Sequence, residues 1–471
     1  MSREKQLIKN TAIITVGKVC TQMISFFLLP LYTAIFSTEE FGIVDLFNTI
    51  VAFLIPILTL QIEQGIFRFL IDAREDSNTK KQLISSTIIL FIIQAIIYSA
   101  IFMLLQRYIH NEYKYFLLLN VIANMFSGLM LQISRGVGKN THYSIGSFIV
   151  AGFTVILNVL FIVILRLGVS GMFLAIFIAN SIATIYLIIA LKIHRSFSIK
   201  VFDKKILKSL LKYSLPLIPN AISWWIVNVS DRAIISGVLN VAANGIYAAA
   251  NKFSGVFINV YNIFNIAWTE SAAMHIEDKD KDEFFSKTIN TGFKVFASIA
   301  LMIIAVSPFV FPLLINSKFI DAYNQIPILM ISSVFNVGVG LVSVIYVAKK
   351  RSKDIAKTSF FAAIINILIN ILLIKKIGLY AASISTVCAY FAMFIYRTID
   401  CKKYVNFKLD IKMITILSIT YALTCVMYYI NTFAINIAML AFVTLFVVIF
   451  NKGSFKVILK IMKRKLKRGE G

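Results

Sequence analysis

The stretch SFIVAGFTVILNVLFIVILRLG, Ser147–Gly168, returns in the second half of the chain as SFFAAIINILINILLIKKIG, Ser359–Gly378. Aligned on their first serines, the two place Asn158 on Asn370 and, after a two-residue gap, Gly168 on Gly378. Further upstream, Gly42-Ile43 falls on Gly245-Ile246 at a similar offset. Any one of these matches is thin, because apolar segments resemble each other by chance. Several in one order at nearly one offset read as a duplicated bundle of helices, an organisation that membrane transporters use.

Composition puts that bundle in lipid. Of the 471 residues, 59% are hydrophobic and the mean hydropathy is +0.83, whereas soluble domains sit near about 45–50% apolar. Runs of about 20 apolar residues, enough to cross a hydrocarbon core about 30 Å thick, recur along the whole length. The expected spans are 8–33, 41–66, 83–106, 115–134, 143–165, 168–192, 213–238, 243–272, 288–315, 324–348, 355–375, 377–397, 411–430 and 433–451. The predicted fold is an all-α polytopic integral membrane protein of about 14 transmembrane helices, two six-helix lobes plus two extra C-terminal helices.

The expected organisation is an N-terminal lobe over 1–193, a basic linker over 194–212, a second lobe over 213–400, two further helices over 401–451 and a basic tail over 452–471. An even number of spans in each lobe leaves the repeats parallel. The opening MSREKQLIKN leads into an apolar run too long for a signal-peptide core, so it is expected to stay attached as the first span. Cys20, Cys388 and Cys425 fall inside spans and Cys401 in a basic loop, so no disulfide or metal ligand set is expected.

The formal net charge of +25 invites a nucleic-acid reading, but its distribution opposes one. Of the 47 lysines and arginines, 37 lie at the termini or in or beside every second loop, six in or beside the opposite loops and four deeper inside spans. That asymmetry places both ends in the cytoplasm. The tail KVILKIMKRKLKRGEG is then an anchor beside anionic membrane lipids, with no nucleic-acid partner. The linker from His194 to Lys212 is amphipathic and is expected along the inner membrane face.

Prolines cluster at Pro30, Pro56, Pro216, Pro219, Pro308 and Pro312, where helix bends would line a cavity or merely kink a static bundle. GVGKNT at Gly136 lacks the glycine spacing and Lys-Ser/Thr ending of a phosphate loop. In EDKDKDE at Glu277 the sixth calcium-loop position is Glu283 and the twelfth Ile289, which excludes that metal site. Neither a nucleophile–base set nor a histidine ligand pair is present, so no catalytic residue, metal or cofactor is assigned and the chain reads as a non-enzyme.

The candidate site rests on charges inside spans, because a mid-membrane charge costs at least about 2.5–3.5 kcal/mol and rarely faces lipid. Arg232 follows Asp231 late in span seven, Lys252 lies about 13 Å into span eight and Lys18 about 15 Å into span one. Lys294, nearer the inner boundary, has an interface within reach. The other reading open at this point is that Asp45, Glu63, Asp231 or Glu270 neutralises these cations in place and so fixes helix packing. In span eight, Tyr247, Asn251, Gly255, Asn259 and Asn262 recur at spacings of three and four, one helical face suited to a hydrated lumen or to a polar seam between helices.

YSLPLIPNAISWWIVNVSDR, Tyr213–Arg232, resembles the signature of bacterial polysaccharide flippases of the O-antigen type, which share a superfamily with multidrug-and-toxin extrusion exporters and lipid II flippases. NGIYAAANKF, Asn244–Phe253, is similar to that family's next stretch, with Lys252 on its lysine; Asn370 followed by IGLYAASIST from Ile377 resembles its eleventh and twelfth spans. Leu379-Tyr380 departs from the second glycine that the family often carries. The resemblance implies a flippase in the bacterial cytoplasmic membrane that carries undecaprenyl-diphosphate-linked oligosaccharide by alternating access, alongside polysaccharide synthesis enzymes as partners. Arg232, Lys252 and Lys18, with Tyr247, Asn251, Asn259 and Asn262, are then candidates for substrate binding. Asp231, Asp45 and Glu63 are candidates for ion coupling. The rival functions are a multidrug or cation exporter, which would favour acidic residues in its cavity, a membrane glycosyltransferase or polymerase, which would need a catalytic domain or large external loop, and a non-transporting scaffold.

Overall fold

The computed structural model describes Phe26 and residues 28–349 and 351–453. Lys18, most of the first expected span and all but the first two residues of the basic tail lie outside the described residues. Contacts group the chain into two compact units, one ending at Ala248 and one starting at Ala249. Among the described residues every regular element is helical.

The first unit contains α1 (Leu29–Ile35), α2 (Thr38–Leu58), α3 (Ile62–Asp72), α4 (Ser77–Leu105), α5 (Lys114–Gly136), α6 (Asn140–Asn158), α7 (Gly168–Ala190), α8 (Ile193–Ser196), α9 (Lys204–Ser214) and α10 (Ile218–Val238). The division falls within α11 (Val241–His275). The second unit continues with α12 (Lys281–Leu314), α13 (Ile326–Ala348), α14 (Ser352–Ile377), α15 (Leu379–Cys401), α16 (Ile411–Ile430) and α17 (Phe433–Phe450).

Among the described residues eleven helical segments are long and apolar enough to cross a membrane, and they fall on eleven of the fourteen expected spans, Thr38–Leu58 on only part of 41–66. The seventh and eighth are helical as well, as α10 and α11, but their polar residues dilute the hydropathy. Only 17% of the most apolar stretch of Asn140–Ile164, and of Phe433–Phe450, is buried against the protein. Such apolar outer faces are stable against lipid, not water.

The expected single span 41–66 is in fact broken. Helix α2 begins with a capping box in which Glu40 N donates to Ser37 Oγ at 3.1 Å and Ser37 N to Glu40 Oε2 at 2.8 Å. It ends just after Pro56, whose missing N–H removes a helical bond. Leu60 and Gln61 then take left-handed φ values of 53° and 55° before α3 starts. Thr59 closes the break, donating to Ile55 O at 2.9 Å and accepting from Gln61 N at 3.3 Å. The other expected bends are milder: Pro308 and Pro312 lie within the continuous α12, while Pro30 and Pro219 occupy the first turns of α1 and α10, where no N–H is needed.

The duplicated stretches carry matching local structure in their own units. Asn158 and Asn370 are both fully buried. Gly168 and Gly378 both sit at φ 57°, a left-handed value open to glycine, and each starts the turn into the next helix. The two-residue excess in the first copy falls where Val159–Ile164 winds as a widened π-helical turn, with Leu165 N bonded to Leu160 O at 2.9 Å.

Within the first unit α6 and α5 pack on α7, α3 on α5 and α10 on α2. The basic linker is fastened to this unit by α4: Ser198 N and Asp203 N donate to Ser85 Oγ and Ser86 Oγ, both at 3.0 Å. Asp203 caps α9 by accepting from Lys205 N at 2.7 Å, and Leu210 of α9 is fully buried in the core shared by α3, α4 and α5. In the second unit α15 packs on both α13 and α14, and α12 on α13, α16 and α17. Cys401, expected in a loop, is instead the last residue of α15 and fully buried, because that helix runs one turn beyond the apolar segment. Cys388, Cys401 and Cys425 are free thiols.

Candidate functional site

A close helix crossing in the first unit adjoins a cluster of polar side chains. Gly42 of α2 lies against the start of α11: a Cβ on Gly42 would overlap Val241 O and stand 2.9 Å from Gly245 N. The converse holds, since a Cβ on Gly245 would overlap Thr38 O and stand 2.9 Å from Gly42 N. Beside this crossing Asn244, fully buried, donates through Nδ2 to Gly42 O at 3.1 Å and to Asp45 Oδ2 at 3.5 Å. The same Asp45 oxygen accepts from Arg232 Nε at 2.7 Å, each side chain being 17% exposed.

Asp231 and Arg232 are adjacent on α10 and therefore point to different neighbours. Arg232 reaches α2, while Asp231, buried, accepts at Oδ2 from the Tyr247 hydroxyl of α11 at 3.1 Å. Trp225 fixes α10 further along, donating from Nε1 to Thr49 O at 3.0 Å with its ring 4.7 Å from that of Phe53. With both carboxylates ionised, this cluster of Asp45, Asp231 and Arg232 carries one net negative charge. Departure of Asp45 from the pair leaves the guanidinium available to an anion.

Tyr247 belongs to the first unit and is buried, whereas Asn251, Lys252, Asn259 and Asn262 belong to the second. Asn251, Lys252 and Asn259 are half-buried and Asn262 is exposed. Nothing lies within 4 Å of a Cβ built on Gly255, so this face of α11 is open along its middle. Glu63 stands at the start of α3, away from the ion pair, with a buried Oε2 that has no hydrogen-bond partner among the described residues. Lys294 places Nζ 5.0 Å from the centre of the Phe450 ring at the end of α17. Glu270 is exposed.

Two features escaped the sequence reading. Asn244 was visible only as part of a motif, and its role depends on the glycine crossing. The second is an apolar groove of about 550 Å³ between α12, α13, α15 and α16, lined by Phe293, Phe335, Phe391, Leu417, Tyr421 and Cys425. Its walls come from segments far apart in sequence, so no local pattern announces it.

The chain is thus a helical membrane bundle that holds a buried polar cluster and an apolar groove. The family model for polysaccharide biosynthesis proteins matches residues 7–269, more than half of the chain, and the chain belongs to that family. Among solved structures, the lipid II flippase MurJ in an inward closed conformation matches with a TM-score of 0.69 at 15% identity, covering 95% of this chain and 100% of that one. An inward-facing multidrug resistance MATE transporter of the MOP superfamily matches with a TM-score of 0.68 at 14% identity, over 83% and 98% of the two chains. A MOP superfamily transporter from Pyrococcus furiosus matches at 0.55 and 15% identity, over 84% and 96%. No curated protein matches the sequence. At such identities these structures establish the shared fold alone.

Proposed function

We propose that the chain is a flippase that moves undecaprenyl-diphosphate-linked oligosaccharide across the bacterial cytoplasmic membrane by alternating access, with both termini in the cytoplasm. The observation that carries this reading is Arg232, a cation embedded in a polar cluster within apolar helices of a polysaccharide biosynthesis family member. Burying a diphosphate requires a cation, and Arg232 offers a planar, permanently charged donor. In the resting state Asp45 occupies it; the substrate's diphosphate replaces Asp45, with Lys252, Lys18 and the amides of α11 assisting. The groove lined by Phe335, Phe391 and Leu417 suits an isoprenoid tail.

Asp45, Asp231 and Glu63 are the candidates for ion coupling in this reading: release of Asp45 from the pair frees Arg232 for the anion, while Asp231 and Glu63 offer further carboxylates inside the helices. Membrane potential adds about 2.3 kcal/mol per negative charge moved outward per 100 mV. The basic character of the proposed site, Arg232 with Lys252 and Lys18, disfavours a cation exporter. Charge reversal at Arg232 or Lys252 tests the proposal: glycan export is lost while membrane insertion persists, and unchanged export would refute both roles. A flip assay in vesicles, with potential and ion gradients collapsed one at a time, identifies the driving force.

A further inference from the structure

A second polar site, formed by none of the proposed transport residues, lies at the end of the second unit that the charge asymmetry assigns to the cytoplasm. A cleft of about 180 Å³ opens where α14 begins and α15 ends. Its walls include Arg351, Asp354, Lys357 and Thr358 on one side and Asp400 and Lys403 on the other. Both carboxylates are already engaged. Asp354 Oδ2 accepts from Arg351 Nε at 2.7 Å, and Asp400 accepts from Lys403 Nζ at 2.6 Å and from the Tyr346 hydroxyl at 2.7 Å. Lys357 has no ion-pair partner among the described residues.

Behind Thr358 lies Arg397, which the sequence placed at the edge of a span and which is only 4% exposed. Its Nε donates to Thr358 Oγ1 at 2.8 Å, and its Nη2 to Ser359 Oγ at 3.0 Å and Ile355 O at 3.2 Å. Nη1 donates to Ser343 Oγ. All four acceptors are neutral, and among the described residues no carboxylate pairs with this guanidinium. A buried charge without a counter-ion is costly, so an anion seated in front of Thr358 would be stabilised by Arg397 as well as by Lys357. Counting Arg397, the cleft has two more cations than carboxylates.

We propose that this cleft binds the phosphate of an anionic phospholipid headgroup. Basic pockets between membrane helices on the cytoplasmic side are suited to such groups. Tyr396 and Tyr404 line the same cleft and supply interfacial aromatics. One turn on from Lys357, Phe360 and Phe361 are 54% and 52% exposed, and beside Asp400 Ile399 is 66% exposed, an apolar surface on which acyl chains can lie. The inference does not depend on what the protein transports.

Thermal melting of the full-length protein in detergent tests it, with phosphatidylglycerol, phosphatidylcholine and inorganic phosphate as probes. Phosphatidylglycerol is expected to raise the melting temperature and phosphatidylcholine to leave it unchanged. Lys357→Gln, at an exposed position, should raise the half-saturating phosphatidylglycerol concentration about five-fold, and Lys357→Glu further. Lys279→Glu, in an exposed loop elsewhere, should not. Equal protection by the two lipids, or protection indifferent to both Lys357 variants, overturns the site. Protection by inorganic phosphate at the same potency overturns the lipid assignment.

Discussion

Gly42 and Gly245, each followed by an isoleucine in sequence, meet each other at one helix crossing, each occupying the space in front of the backbone one turn before the other. Thr38 O faces Gly245 and Val241 O faces Gly42, so the contact is reciprocal. Only two residues without side chains let the backbones come this close, as at other small-residue crossings of membrane helices. The crossing in turn brings Asn244 to Gly42 O and to Asp45.

Alanine at Gly42 or Gly245 forces backbone against a methyl group. Overpacking of this kind costs about 1–3 kcal/mol where side chains can yield, and backbone yields less. The expected outcome for either variant is a sharp fall in folded, monodisperse protein by size-exclusion chromatography, whereas Gly255→Ala, with open space around it, should be tolerated.

Gly378→Ala separates conformational from steric cost. Nothing lies within 4 Å of a Cβ there, yet φ is 57°. A loss of at least about 1 kcal/mol is expected from the left-handed backbone alone. A melting curve matching the parent would show that the α14–α15 turn relaxes without penalty.

Removing one member of the Arg232–Asp45 pair leaves the other charged and poorly solvated, at a cost of about 3–5 kcal/mol for a buried pair. Arg232→Asp and Asp45→Arg should each lose stability, and the double exchange should recover most of it. Export should stay absent in the double variant, because the cation has moved from α10 to α2. Restored export there would mean that the pair serves packing only.

Ala422 lines the apolar groove and is itself exposed, so Ala422→Phe narrows the groove without disturbing the core. Normal melting with reduced flipping of a polyprenyl-linked glycan is expected in reconstituted vesicles. Full activity would remove the groove from the transport path.

Asp76 caps α4, accepting from Asn78 N at 2.9 Å and Thr79 N at 3.1 Å. Hydrogen bonds from Thr79, side chain first and then backbone, hold its carboxyl below the ordinary range. A depressed folded-state pKa means that the stabilisation is complete above the unfolded value and is lost as pH falls through the folded one. Melting followed from pH 7 into acid should therefore decline less steeply in Asp76→Asn than in the parent.

The placement of most spans among the described residues was legible in the sequence because each span must satisfy its own backbone in lipid, so length and apolar content suffice. The repeat was legible for a related reason: Asn158 and Asn370, Gly168 and Gly378 answer to local demands, a buried amide and a left-handed turn, that each copy meets by itself. Arg232 and Asp45 stood out singly as charges where charge is expensive. Their pairing did not, since 187 positions separate them and Glu63, Asp231 and Glu270 were equally available to sequence. Only the packing of α10 on α2 chose Asp45. The break after Pro56, the burial of Arg397 among neutral oxygens and the groove walls likewise depend on which faces meet. In a membrane helix nearly every face is apolar, so hydropathy tells which segments cross the bilayer but not which sides touch, and that choice was made by close-fitting small residues and by polar groups with few partners to find.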